Sequence, residues 1–365
     1  MAGLYALVVV RSCLSCRALP ARSTARRAGV VAVAAVVLAG CGQSSTSSQS
    51  SSTPAATSST TATTSAAGPP PKPSPQLAAA ERPRRDGFPA AGGRTPRQLA
   101  SLARSSVTLG AATGTFTPGA GRYAFGLTTT SGRFLYEPTA LYLASTPDSP
   151  ASGPYLAPAD PMGVAPQYRS AQNAGPGGIE AIYHATLPLP RAGTYALLAL
   201  TRTPTGLVGA PGEVAVAASS PIPGVGQRPP AIDTDTAASV HGDTALLTTR
   251  QPPEHMASAS LDQVLGRRPV ALLFSTPQLC TSRVCGPVTD VTVSLQKQFP
   301  AVTFIHQEVY VDNDPEKGLR PQLQAFHLRT EPWLFAINRR GVIVARLEGA
   351  FGVNELRSAL RAAER

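Results

Sequence analysis

Two cysteines, Cys280 and Cys285, lie in the stretch PVALLFSTPQLCTSRVCGPVTD over residues 269–290, with four residues between them. Thiols so placed could act as thiolate nucleophiles, exchange disulfides, or simply cross-link the chain. Val270, Ala271, Leu272, Leu273 and Phe274 form a short apolar run after a proline, the pattern of a strand buried on both faces. Pro287 suits the first turn of a helix, where its missing N–H costs nothing. A helix is therefore predicted from Pro287 through Val291 and Leu295 to Phe299. Cys285 would sit at its N-terminus, where orphan N–H groups and the macrodipole favour a thiolate. Within a continuous helix, residues five apart have Cα atoms about 8–9 Å apart. A disulfide needs roughly 4.4–6.8 Å, so pairing requires Cys280 to lie in the loop ahead of the helix. A redox pair, a structural disulfide and two unpaired small residues all fit this spacing.

Cysteine usage narrows the setting. Residues 17–40 run from a basic segment to an apolar one, the layout of a secretory signal. Leu38-Ala39-Gly40-Cys41 looks like the bacterial lipobox. That likeness implies cleavage after residue 40, a lipid on the Cys41 sulfur, and attachment to the extracytoplasmic face of the cell membrane. The apolar run is short of the ~20 residues that span a bilayer. Cys13 and Cys16 fall in the leader, so of five cysteines only Cys280 and Cys285 stay free in the mature chain. Two closely spaced cysteines in an oxidising compartment are expected to form one disulfide. Five of the excess positive charges are leader arginines with no acid before residue 40, which leaves +6 of the formal +11. No basic cluster is interleaved with aromatics, which argues against nucleic acid as a partner.

The chain then changes character in steps. Residues 41–104 read as a Ser/Thr/Pro-rich disordered tether, with at most a short helix near Leu99. Residues 105–218 carry several strand-like runs around Tyr123, Leu141, Ile182, Leu197 and Val214, separated by Gly, Pro, Ser and Asp. With Gly 32, Pro 36 and one Trp in the chain, this predicts an antiparallel β-sandwich. The phrase from Leu187 to Leu197 resembles a turn common in immunoglobulin-like bacterial surface domains, which implies that architecture. His184 and Met162 are read as ordinary surface residues rather than copper ligands. Residues 219–260 form a connector. Beyond it the order is strand, helix, strand, helix, strand, strand, helix, an α/β arrangement whose last helix is predicted to be capped by Asn354.

Residues 229–365, with a core from 261, resemble the thioredoxin-like superfamily. The likeness rests on Cys285-Gly286-Pro287 after a buried strand, on Pro332 at the place of the family's cis-proline, and on the Asn338-Arg-Arg-Gly-Val-Ile hairpin. The lead-in from Pro221 to Ala231 also resembles that of exported members, and the whole looks most like actinobacterial lipoproteins. The sequence departs from the family at Val288, where CGPC members carry the second cysteine, and in the first strand, which lacks their buried acid. The resemblance implies thiol–disulfide exchange on exported protein thiols or disulfides, with Pro332 and Trp333 in the substrate groove and no cofactor. Cys285 is expected to be the nucleophile and Cys280 the resolving partner, with Arg283 between them either tuning a thiol or solvated. Three other readings stand beside it. The phrase from Cys280 through Thr281 to Cys285-Gly286 resembles the C-T-x-x-x-C-G of Q-type peroxiredoxins, where Cys280 would attack, although Pro277 stands where they keep Thr or Ser. Copper-delivering relatives would add His306 or His327. A non-catalytic thioredoxin-like binding module would need neither cysteine.

Overall fold

A computed structural model describes residues 68–70, 72–173 and 178–365. The leader, Cys41 and the Ser/Thr-rich run up to residue 67 lie outside the described residues. Twelve strands in this part build three four-stranded sheets, most of their pairings antiparallel. In chain order, β1 is Val107–Ala111, β2 Gly119–Thr129, β3 Thr139–Ala144, β4 Ser152–Ala157, β5 Ala159–Pro161, β6 Ala181–Leu189, β7 Gly193–Thr203 and β8 Gly206–Val216. They form two sheets, ordered β1-β2-β6-β5 and β4-β3-β7-β8. Phe125, Tyr183 and Leu187 of the first sheet share one buried core with Leu141, Leu197 and Val214 of the second. Two sheets facing each other across a common core agree with the predicted sandwich. Every residue of β3 is buried, whereas a sheet with one wet face would alternate.

The cause lies in the segment expected to be a tether. Residues 75–104 are folded: α1 is Pro75–Ala80 and α2 is Pro96–Ala100, the latter closed by a Thr95–Gln98 capping box. Phe88, Ala91 and Leu99 pack onto Ala140, Tyr142, Leu198 and Leu200, and Leu77 and Ala80 enter the sandwich core. The expectation of a tether running to residue 104 is corrected here. A few well-spaced apolar residues find a ready-made apolar sheet face, which local composition does not reveal.

The third sheet is ordered β10-β9-β11-β12. Its strands are β9 (Val270–Phe274), β10 (Thr303–Gln307), β11 (Trp333–Ile337) and β12 (Ile343–Glu348). β9 runs parallel to β10 and antiparallel to β11, and β11 and β12 make a hairpin. The helices around it are α3 (Leu261–Val264), α4 (Cys285–Leu295), α5 (Pro321–Ala325) and α6 (Val353–Glu364). Central β9 is buried on both faces as predicted. Ala271 and Leu273 meet Val288 and Val291 of α4 and Leu360 of α6 on one side. Val270, Leu272 and Phe274 meet Leu261 of α3 and Leu323 of α5 on the other.

The first of these cores also takes in Ala124, Met162 and Ile182 from the sandwich and Met256 from the connector. Met162, expected at the surface, is 1 % exposed within it. Asn354 does not cap α6: its own N–H and that of Glu355 donate to the Asp160 carboxylate, which reaches across from β5 at 3.0 and 2.8 Å. Beside this cap, Arg122 of β2 grips Glu355 and the Glu348 and Ala350 carbonyls at 2.7 Å each.

Candidate active site

Cys280 and Cys285 both lie at the exit of β9, held as free thiols. α4 begins at Cys285, two residues earlier than Pro287 implied, with Val284 as its N-cap residue. So early a start is tolerated because Pro287 still falls within the first turn, where no N–H partner is lost. Every residue from Cys285 to Thr292 is buried. The covering comes from the sandwich and the connector. A side chain at Gly286 would meet Gln172 at 2.9 Å. Within α4, Asp290 receives hydrogen bonds from Ser170, Asn173 and Arg250, its pairing with Arg250 at 2.9 Å being fully buried.

The loop before α4 is fixed from below. Gln278 N–H donates to the Thr249 hydroxyl, which in turn donates to Glu308 at 2.8 Å. Ser275 Oγ bonds Thr289 and His306 at 2.9 Å each, and His306 Nδ1 pairs with Glu254 at 2.6 Å. Burial alone would lower the His306 pKa, but the facing Glu254 carboxylate raises it, and His306 in turn lowers the Glu254 pKa. His306 is thus a satisfied core residue under the loop. His327 is exposed and lines a different cavity. Neither histidine joins the cysteines in a metal-sized cluster among the described residues.

The two thiols differ sharply, and not in the expected sense. Cys285 is wholly buried. Burial, reinforced by the neighbouring Cys280, pushes its thiol pKa well above the ordinary value. Cys280, 9 % exposed, is lowered to about 5. The largest cause is the hydrogen bond from the Cys285 thiol. The Ser282 hydroxyl at 3.1 Å and the backbone N–H groups of Cys285 and Val284 add to it, while burial opposes. The helix N-terminus does stabilise a thiolate, but its N–H groups point at Cys280 from the residues of the loop end. These shifts favour Cys280 over Cys285 as the ionised thiol, the opposite of what the expectation of Cys285 as nucleophile and Cys280 as resolving partner requires. Arg283 is exposed, with φ +60°, and is not among the groups that hold down either thiol.

Sequence reasoning overlooked Glu331. One of its carboxylate oxygens and the two sulfurs all lie within 4.8 Å of one another. Half-buried, it has its pKa raised to about 7, first by burial and then by the Cys280 charge. The Glu331–Pro332 peptide is cis, and Pro332 is buried. Only the adjacency of Glu331 to Pro332 signalled it in the sequence. Trp333 is not in the groove beside the sulfurs: it is 1 % exposed, stacked on Phe335 and covered by Arg346. A cavity of about 490 Å³ lies next to the loop, lined by Ser282, Val284, Thr330 and Glu331 on one wall and by Ala112 and Ile179 on the other. Cys280, Cys285 and Glu331 together offer two sulfurs and a carboxylate oxygen at metal-ligand spacing. The second donor cluster, Asp160, His184 and Glu355, is already engaged in capping α6 and pairing Arg122. Neither a protein-family model nor a curated protein matches the chain.

Proposed function

We propose that the protein is a thiol–disulfide oxidoreductase, held at the extracytoplasmic face of the cell membrane by a lipid on Cys41. Its substrates are exported protein thiols or disulfides. The observation that carries this reading is the asymmetry of the thiols: a stabilised Cys280 thiolate near the groove and a buried, protonated Cys285 in reach behind it. That is the division needed for attack followed by resolution. The architecture supports it. The β10-β9-β11-β12 order, with α4 crossing from β9 to β10 and a terminal hairpin and helix, is the arrangement expected of a thioredoxin-like domain. The sandwich order, with Tyr195 bonding the Arg191 backbone at 3.0 and 3.2 Å, fits the immunoglobulin-like reading and its tyrosine corner. No helix among the described residues is long and apolar enough to cross a membrane.

The test uses the reduced chain and a disulfide peptide. Cys285→Ser is expected to accumulate a mixed disulfide on Cys280, and Cys280→Ser to lose reaction altogether. A Cys280→Ser protein that reacts at the normal rate overturns the assignment. A peroxidase reading is favoured by one observation, that the low-pKa thiol is the first cysteine of the C-T-x-x-x-C-G phrase. In it the Cys280 thiolate attacks hydrogen peroxide, giving a sulfenic acid and hydroxide, and Cys285 then closes the disulfide with loss of water. Sulfenic acid on Cys280 of Cys285→Ser at micromolar peroxide, with slow peptide exchange, would select it.

A further inference from the structure

We propose that Glu331 is the proton-transfer residue of the cysteine pair, taking the proton from the Cys285 thiol as that sulfur attacks the mixed disulfide on Cys280. The inference rests on the exchange reading above. Resolution needs a Cys285 thiolate, yet this sulfur is fully buried and protonated, so it cannot ionise usefully without a base. The first strand, where thioredoxin-like proteins of the usual pattern keep a buried acid, offers only Val270, Ala271, Leu272, Leu273 and Phe274. Of the other buried acids near the loop, Glu254 pairs with His306 and Glu308 accepts from Thr249 through one oxygen only, its second oxygen being buried without a partner, and neither joins the cluster of the two sulfurs. Glu331 instead has its carboxylate beside both sulfurs. Among the described residues, no ion pair or hydrogen bond to another side chain occupies it. The charged and titratable groups around it are Cys280, Cys285, the Tyr310 phenol and, across the groove, Glu348, which accepts from the Gly114 and Thr115 N–H groups. Its titration near neutrality suits a group that must both take and return a proton, and the groove gives it a path to solvent. The separation, within 4.8 Å, is closed by a side-chain rotation or by one water.

The step balances. The Cys280 thiolate attacks a substrate disulfide, whose S–S bond breaks; a mixed disulfide forms and the first substrate thiolate leaves and is protonated by solvent. Glu331 then accepts the Cys285 proton, the Cys285 thiolate attacks the Cys280 sulfur, and the mixed disulfide breaks. The second substrate thiolate leaves with the proton from Glu331. Two electrons pass to the substrate, and an exported dithiol restores the pair.

The two events can be read separately with 5,5′-dithiobis(2-nitrobenzoate) and the full reduced chain. The first nitrothiobenzoate released reports attack by Cys280, and the second reports resolution by Cys285. In the parent protein the second phase should quicken as pH rises through the Glu331 pKa, which burial still raises but which falls below about 7 once the Cys280 charge is lost in the mixed disulfide. Glu331→Gln should slow that phase at neutral pH by about 10²-fold, as expected for loss of a general base, and remove the inflection. Its first phase should keep its amplitude, and Glu331→Asp should recover part of the second. A second phase in Glu331→Gln that matches the parent across neutral pH overturns the proposal and leaves the exchange reading standing. Loss of the first phase as well makes Glu331 structural and also overturns it. A parent protein that releases no second nitrothiobenzoate overturns the exchange reading itself.

Discussion

Cys280 and Cys285 are the same residue type in one short loop, and their environments set them apart. The Cys285 S–H, the Ser282 O–H and two N–H groups at the start of α4 all donate toward Cys280. Charge-assisted donors of this kind favour the ionised form directly. Because the thiolate is the reacting species, a lowered pKa extends reactivity to acid rather than to alkali. Iodoacetamide should therefore alkylate Cys280 of the reduced protein at a rate that rises through a midpoint near pH 5 and is level above it. An unperturbed thiol has its midpoint near about 8.5. Cys285→Ala removes the largest stabilising donor and should move the midpoint upward. Mass spectrometry of the alkylated chain follows both, with Cys285 unmodified until the protein is unfolded. A parent midpoint above pH 7 would remove the basis for Cys280 as nucleophile. The cysteine pair itself was legible in the sequence, because spacing and compartment isolate it. Which thiol ionises was not, since that depends on a helix boundary two residues from the one Pro287 suggested. Glu331 was hidden for a different reason: its approach to the sulfurs depends on the β9–β11 pairing, which joins residues some sixty positions apart.

At the level of elements, periodicity identified what it could reach. Long strands such as β2, β6 and β7, and the whole run from β9 to α6, follow from apolar runs and turn residues. β1, β4 and β5 did not stand out, because glycine, proline and short length blur their pattern: β4 contains Gly153-Pro154 and β5 has three residues. α6 shows a limit of local capping rules. Its N-cap position is Gly352, which offers no side chain, and the acceptor comes from Asp160, about 190 residues earlier in the chain. Gly352 is required there, because a Cβ would lie 2.4 Å from the Asp160 carboxyl carbon. Loss of an N-cap acceptor costs about 0.5–2 kcal/mol. Asp160→Ala should lower stability by an amount in that range, measured by urea unfolding, and Asp160→Asn by less, since it keeps an acceptor oxygen. An Asp160→Ala protein as stable as the parent would show that the two α6 N–H groups find another partner at no cost.

Over the whole molecule, the sandwich and the α/β layer are tied by shared apolar and polar contacts. Met162, Ala124 and Ile182 lie in the same core as Leu273, Val288 and Leu360, and Arg122 and Asp160 bind α6 from the sandwich side. Two bodies joined only by a linker would unfold separately, whereas a common core makes unfolding of either expose apolar surface of the other. Trp333, the one tryptophan of the chain, lies in β11 of the third sheet and reports that layer by fluorescence. Circular dichroism, with eight of the twelve strands in the sandwich, weights the other part. The two signals should fall at one urea midpoint in the parent protein. Met162→Ala removes buried atoms in the sandwich half of the shared core, at a cost of about 2–5 kcal/mol for a substitution of this kind. It should lower the Trp333 midpoint and the dichroism midpoint together, with the slope of each transition unchanged. If Met162→Ala shifts the dichroism while Trp333 keeps its parent midpoint, the two parts are energetically independent. The cover that Gln172 and Arg250 lay over α4 would then be a contact without cooperative weight.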